Sequence, residues 1–329
     1  MTKTLRNRTL ILSSVFTSVA ALFMFYNMGS NLDYVLPRRL IRLSTIILVG
    51  VCVGYSSLIF QTITNNKILT PSIMGYEAVF ILFQTFLVFL YGDKTFKVIN
   101  QNDNFFISIA FMMLFSFIMY FVLFKKGKNN IYHLLLIGLV LGTLFSTLSQ
   151  FIQIIIDPNE FSMLEAFMFV SFTKMNTTLL YTAGGITIVT LIFAQPYLKY
   201  LDVIALGREH AINLGLNYNR LIQIYMFIIS ILVSVSTALV GPIAFLGIMV
   251  TNLCYELFIT RKHRYMVWLC SIIACVFLLL GQTLIEHFFN FSTTTSIVIN
   301  FIGGVYFIYL VLKSTQKNDQ SRKYIQTIR

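Results

Sequence analysis

Charged residues make up only 11% of this 329-residue chain, whereas soluble domains average about a quarter. So few charges cannot coat a water-facing surface, which excludes a soluble enzyme. Acidic residues are scarcest, with 12 Asp and Glu against 24 Lys and Arg. Asp33, Asp93, Asp103, Asp157, Glu160, Asp202, Glu209 and Asp319 all fall at the ends of apolar runs. Glu77, Glu256 and Glu286 lie within or at the edges of such runs, each within about two helical turns of an expected end. Interfacial snorkelling accounts for them, which leaves little support for the buried carboxylate relay expected of an ion-driven carrier.

Other absences narrow the chemistry. Cys52, Cys254, Cys270 and Cys275 sit in apolar stretches, with no CxxC and no His at ligand spacing, so neither a disulfide framework nor a zinc site is expected. His133, His210, His263 and His287 are scattered, and no H-E-x-x-H or G-x-S-x-G occurs. A phosphate cradle is missing too. Gly92-Asp93-Lys94-Thr95 has the wrong spacing, and Gly127-Lys128-Asn129 lacks the upstream Gly and the hydroxyl. No metal, cofactor or ATPase site is expected on this chain. The single Trp beside 32 Phe and 17 Tyr reflects composition bias as readily as ligand chemistry.

What is present is apolar length. Hydrophobic residues make up 57% and mean hydropathy is +0.80. Ten apolar runs follow one another at 9–26, 40–60, 73–91, 105–124, 131–156, 177–193, 221–240, 243–259, 266–288 and 296–312, each about the length of a membrane-crossing helix. The first has no A-x-A-like cleavage site after it and reads as a retained helix, not a signal peptide. The net charge of +12 sits in the short gaps between runs, a pattern of membrane topology and not of nucleic-acid binding. With ten crossings the Lys and Arg divide strongly in favour of the loops on the side of the termini, which puts both termini in the cytoplasm. The expectation is an all-α polytopic protein forming one membrane domain over 1–329: a cytoplasmic stretch 1–8, a ten-helix bundle 9–312 and a basic tail 313–329. Two segments are not simple crossings. The outer loop 157–176 carries an apolar stretch, 163–172, too brief to span. The inner segment 199–220 has helix-forming residues, a small-residue step at 205–207 and Gly215 as a helix stop.

Within that inner segment, Leu206-Gly207-Arg208-Glu209-His210-Ala211-Ile212-Asn213-Leu214-Gly215 contains E-x-A-x-x-x-G. A short rigid helix presented to the cytosol between two spans can pass an external displacement to both. Further on, Gly241-Pro242-Ile243-Ala244-Phe245-Leu246-Gly247 follows. Pro242 cannot continue a preceding helix, and Gly241 and Gly247 allow close backbone approach. In order and spacing this pair of motifs resembles the FecCD family of permeases for iron(III)-siderophores, haem and vitamin B12, whose signature is G-P-I-x-F-[VL]-G-[LI]. The family's N-terminal R-x-P-R and following residues are matched by Arg39, Arg42, Gly50, Gln61, Asn66, Pro71 and Gly75. The sequence departs from that pattern at Ile41, Lys67, Thr251-Asn252 and Ile285.

The resemblance implies an ATP-binding-cassette importer permease for an iron(III)-siderophore, with haem or vitamin B12 as alternatives; an ion-coupled carrier or channel is the competing class. It implies ATPase subunits that use ATP and dock through a long coupling helix at Leu206, Gly207, Arg208, Glu209, Ala211 and Gly215. It also implies a second permease subunit and an extracytoplasmic siderophore-binding protein at the bacterial cytoplasmic membrane. Gly241, Pro242, Phe245 and Gly247 are the family motif and helix break. Arg39 and Arg42 match outer-mouth arginines that pair with acidic residues of the binding protein; with Arg38 they form an exposed basic cluster suited to steering an acidic partner. Ser146, Ser149 and Gln150 are candidates to line the path, with interhelical hydrogen bonding as their alternative role.

Overall fold

The computed structural model describes residues 3–27, 32–124, 131–172, 176–258, 260, 262–289, 293–309 and 312. Among them the chain is all helical, with α1 (Lys3–Phe25), α2 (Leu32–Thr64), α3 (Tyr76–Tyr91), α4 (Thr95–Val98), α5 (Gln101–Phe124), α6 (Ile131–Ile155) and α7 (Pro158–Met168). There follow α8 (Thr177–Ala194), α9 (Leu198–Ile204), α10 (Arg208–Asn213), α11 (Tyr218–Val240), α12 (Leu246–Leu257) and α13 (His263–His287), then α14 (Thr295–Tyr309). Side-chain oxygens set several starts. Asp157, Asn176 and Asn217 accept from the amides of Asn159, Thr178 and Arg220, each satisfying one of the free donors at a helix N-terminus.

The interior is built on three helices. Two-thirds or more of the most apolar stretch of α2, α11 and α13 is buried, against 11% for α1 and 22% for α6. An outer helix with so little burial exposes side chains such as Ile154, Ile188 and Ile192, the apolar face a bilayer requires. Helix α2 packs on α13 through small residues: a Cβ on Gly54 would lie 2.7 Å from the Ser271 backbone, and one on Gly50 2.9 Å from the Cys275 backbone nitrogen. With no hydrophobic drive between helices in lipid, this backbone-to-backbone fit supplies the dispersion contact that holds them together. Gly138 and Gly142 of α6 play the same part against Met74 and Gly75.

Every one of the ten expected runs coincides with a helix, but the helices differ in reach. Seven are long and apolar enough to cross a membrane, while Tyr76–Tyr91, Leu246–Leu257 and Thr295–Tyr309 are shorter. The first two are short because their chains break inside the bundle: at Pro71–Gly75, where Gly75 has φ 88°, and at Gly241–Phe245, where Gly241 has φ 101°. The outer apolar stretch 163–172 falls mostly on α7, which is packed down by Leu164 against Val88 and Ile156. The long coupling helix expected from sequence is corrected to two short ones. Gly207, at φ 103°, turns the chain between α9 and the six-residue α10, a conformation open to glycine and strained for other residues. The expected tail 313–329 lies outside the described residues.

Candidate functional site

The inner segment is anchored from below and open above. Leu198, Leu201 and Ile204 of α9 are buried, and the Tyr225 hydroxyl donates to the Tyr197 carbonyl at 2.7 Å. Asp202 Oδ1 accepts from the His263 backbone amide at 2.7 Å and pairs with His263 Nδ1 at 2.7 Å. This carboxylate therefore ties α9 to the first residue of α13, where the helix dipole favours negative charge. Ala211, on the covered face of α10, is fully buried, whereas Arg208 and Glu209 are exposed. Gly215, at φ 80°, has open space around its Cα, so glycine is needed there for backbone conformation and not for room. Three apolar side chains, the expected Leu206 and two that motif reasoning passed over, Ile212 and Leu214, stand 58%, 48% and 64% exposed around this knob. A small apolar patch beside charged residues is the composition of a protein contact.

The second motif folds as a re-entrant turn between α11 and α12. A Cβ on Gly241 would lie 3.0 Å from the Phe169 carbonyl oxygen, and the Ser171 amide donates to the Val240 carbonyl at 3.0 Å. Pro242 is buried and Phe245 half-buried, the latter packed under Gly303 of α14. Gly247 faces Ser57 and Thr70 so closely that any Cβ would overlap the Ser57 hydroxyl. The two helix breaks thus meet inside the bundle. Asn252 and Gln61 both donate to the Lys67 carbonyl, each at 2.8 Å, so Asn252 fastens the inner end of α12 to the loop after α2.

The outer arginines differ from the expected exposed cluster. Arg39 is 4% exposed; its Nη1 donates to the carbonyls of Phe23, Met24 and Tyr26 at 3.1, 3.0 and 2.8 Å, and its Nη2 lies 3.0 Å from Glu286 Oε1. It closes the free carbonyls at the end of α1 and is not available to a partner. Arg42 lies 3.4 Å from Glu286 Oε2 and is largely covered. Arg38 alone of the three is exposed, stacked 4.0 Å above the Tyr34 ring. Glu286 is accordingly an internal ion-pair partner and not a snorkelling residue.

The expected path residues separate. Ser149 is buried and bonded to Thr85 Oγ1 at 2.8 Å and to Gln153 Nε2 at 2.9 Å, an interhelical link between α6 and α3. It is corrected from a path candidate to a packing residue. Ser146 is half-buried and Gln150 exposed on the same helix. Sequence reasoning missed a cavity of about 840 Å³ whose walls include Asn104, Glu165, Phe167, Gly241 and Thr293. It is within the size range of small-molecule sites, and its lining residues come from segments far apart in the chain, which is why no local motif announced it.

Apolar helices, two breaks that meet in the interior and an anchored knob with an apolar tip define a multi-span helical membrane protein. The chain belongs to the FecCD transport family, which matches residues 7–313. Among its relatives is the petrobactin import system permease protein YclO of Bacillus subtilis (strain 168), 49% identical over 90% of this chain and 93% of that protein. The petrobactin import system permease protein FatC of Bacillus anthracis is 30% identical over 85% of this chain and 79% of that one. A solved structure assigned to the metal-chelate type of ABC transporters, in an inward-facing conformation, shares the fold with a TM-score of 0.82 at 20% identity, covering 94% of this chain and 99% of that one.

Proposed function

We propose that this chain is the membrane-spanning permease of an ATP-binding-cassette importer for a ferric siderophore, with ferric petrobactin as the first cargo to test. The observation that carries the cargo class is near-half identity to a petrobactin permease along nearly the full length of both chains. The exposed knob of Leu206, Arg208, Glu209, Ile212 and Leu214 on buried Ala211 supports the importer mechanism, because a carrier that moves itself has no need of a docking tip on a rigid anchor.

In this account ten crossings place both termini in the cytoplasm of a bacterium. A second permease subunit completes the pathway, two ATPase subunits grip the knobs, and a binding protein delivers the chelate outside. Closure of the ATPase pair displaces α10. The displacement reaches α8 through α9, α11 through the short turn at Gly215, and α13 through the Asp202–His263 pair; rigid packed elements pass such a stroke where a loop would absorb it. No covalent chemistry occurs on this chain, and iron travels inside its chelator.

The experiment is uptake of iron-labelled petrobactin by iron-starved cells lacking the gene and cells regaining it. Uptake that depends on the gene supports the cargo; uptake of petrobactin unchanged by the deletion, with a ferric hydroxamate affected instead, moves the assignment within the family.

A further inference from the structure

Where the two helix breaks meet, the structure leaves a small cavity of about 20 Å³, enough for one water-sized occupant. Its depth follows from Tyr76, whose hydroxyl reaches Ser230 at 2.7 Å, halfway along α11. Glu77, the next residue, lines the cavity and accepts from the Ser72 hydroxyl at 2.7 Å and from the Ile243 amide. It bridges the break after α2 to the break after α11.

Seven of the residues that line the cavity carry side-chain oxygens, the rest are apolar or glycine, and none brings a positive charge. No Lys, Arg or His lines the cavity. The hydroxyls of Ser57, Thr70 and Thr237, on residues 3%, 2% and 4% exposed, line it as well and have no hydrogen-bond partner among the described residues. The remaining serines behave differently: Ser56 and Ser236 donate to carbonyls of their own helices. Gly247 leaves the space open, since a Cβ there would fill it from the Ser57 side. Glu77 is only partly exposed, and a covered carboxylate keeps its charge at lower cost when a matching charge lies beside it. Free hydroxyl oxygens beside it supply hard ligands, which suit a hard cation, and helix breaks inside a bundle are where transport proteins hold such ions.

We propose that this cavity is a sodium site, with Glu77 and the hydroxyls of Ser57, Thr70 and Thr237 as ligands. One carboxylate matches one positive charge, and the volume admits a bare sodium ion but not an organic cation the size of choline. The ion sits as a resident pin between the two breaks and is independent of which chelate is carried.

The test uses the full chain purified with its copurifying subunits. Thermal unfolding is followed in sodium chloride and in choline chloride at equal ionic strength, choline being too large for the site. The wild type unfolds higher in sodium, by about 3 °C or more at saturation, with a hyperbolic dependence on sodium concentration. Glu77→Gln, which keeps shape and removes charge, abolishes the difference. Thr237→Val, which removes one ligand at constant volume, raises the half-saturating sodium concentration about tenfold. Equal unfolding of the wild type in the two salts overturns the proposal and assigns the cavity to water. A sodium response that survives in Glu77→Gln overturns it as well. Should that variant fail to accumulate, Thr237→Val decides alone, and an unchanged half-saturation counts against the site.

Discussion

The guanidinium of Arg39 lies 3.0 Å from the carboxylate of Glu286, with both side chains largely buried, at 5% and 12% exposure, and this pair joins the first turns of α2 to the last turn of α13. Arg39 also collects three carbonyls from the end of α1, so one side chain fastens three helices. Removing one partner of a covered pair leaves the other charge desolvated and unmatched. Glu286→Ala is expected to lower stability by about 2 kcal/mol, the carbonyls around Arg39 holding the loss below that of a bare charge. Thermal unfolding of the solubilised complex checks this, and no change would mean that the pair is solvated.

The arginine cluster also directs a docking prediction. Since Arg39 is committed internally, the proposed contact with an acidic binding protein would fall to exposed Arg38 and, in part, to Arg42. Arg38→Glu should weaken binding-protein association in a salt-dependent way, because an exposed charge acts mainly through steering. A titration of the two purified components shows it; equal affinity for variant and wild type would move the docking surface elsewhere.

Helix contact by bare backbone gives a sharp contrast between two glycines. Gly54→Ala places a methyl 2.7 Å from the Ser271 backbone, which cannot rotate away, so α2 and α13 must part at a cost of about 1–3 kcal/mol. Gly185→Ala meets nothing within 4 Å and lies inside α8, where alanine is the better helix former, so it should be neutral or stabilising by up to about 1 kcal/mol. Paired melting curves of the two variants settle the order.

At the inner face, Glu209→Ala and Ile212→Ser should leave the chain folded, since both side chains are exposed, yet separate ATP hydrolysis from uptake. Asp202→Asn is expected to do so by another route, because it weakens the grip on His263 Nδ1 while α10 keeps its tip. Measured side by side, ATPase rate and uptake should fall out of proportion in all three variants, with uptake lost several-fold more. Proportional loss would show that the knob supports assembly alone.

Much of the helical architecture was legible because apolar runs of membrane length leave the backbone no alternative in lipid. The two motifs were legible because their glycines serve the backbone: Gly207, Gly215 and Gly241 all take positive φ, a demand visible in local sequence. Tertiary pairing was hidden. Nothing near Arg39 in sequence announces Glu286, 247 residues away, and an arginine near the start of a span looks alike whether it faces water or caps another helix. Glu77 misled for the same reason: its position early in a run suggested an interface, but the chain re-enters at Pro71–Gly75 and starts α3 deep in the bundle. The long coupling helix came from the family resemblance, whereas the small-residue step at 205–207 marks in the sequence where Gly207, at positive φ, divides α9 from α10.

The central claim is that the chain is a passive gate driven from the cytoplasmic face. The most direct measurement is flux of ferric siderophore into liposomes holding the purified permease, first alone and then with its ATPase, second permease subunit and binding protein plus ATP. The account predicts no flux from the first preparation and ATP-dependent accumulation in the second. Sustained uptake by the permease alone, with no nucleotide present, would contradict it.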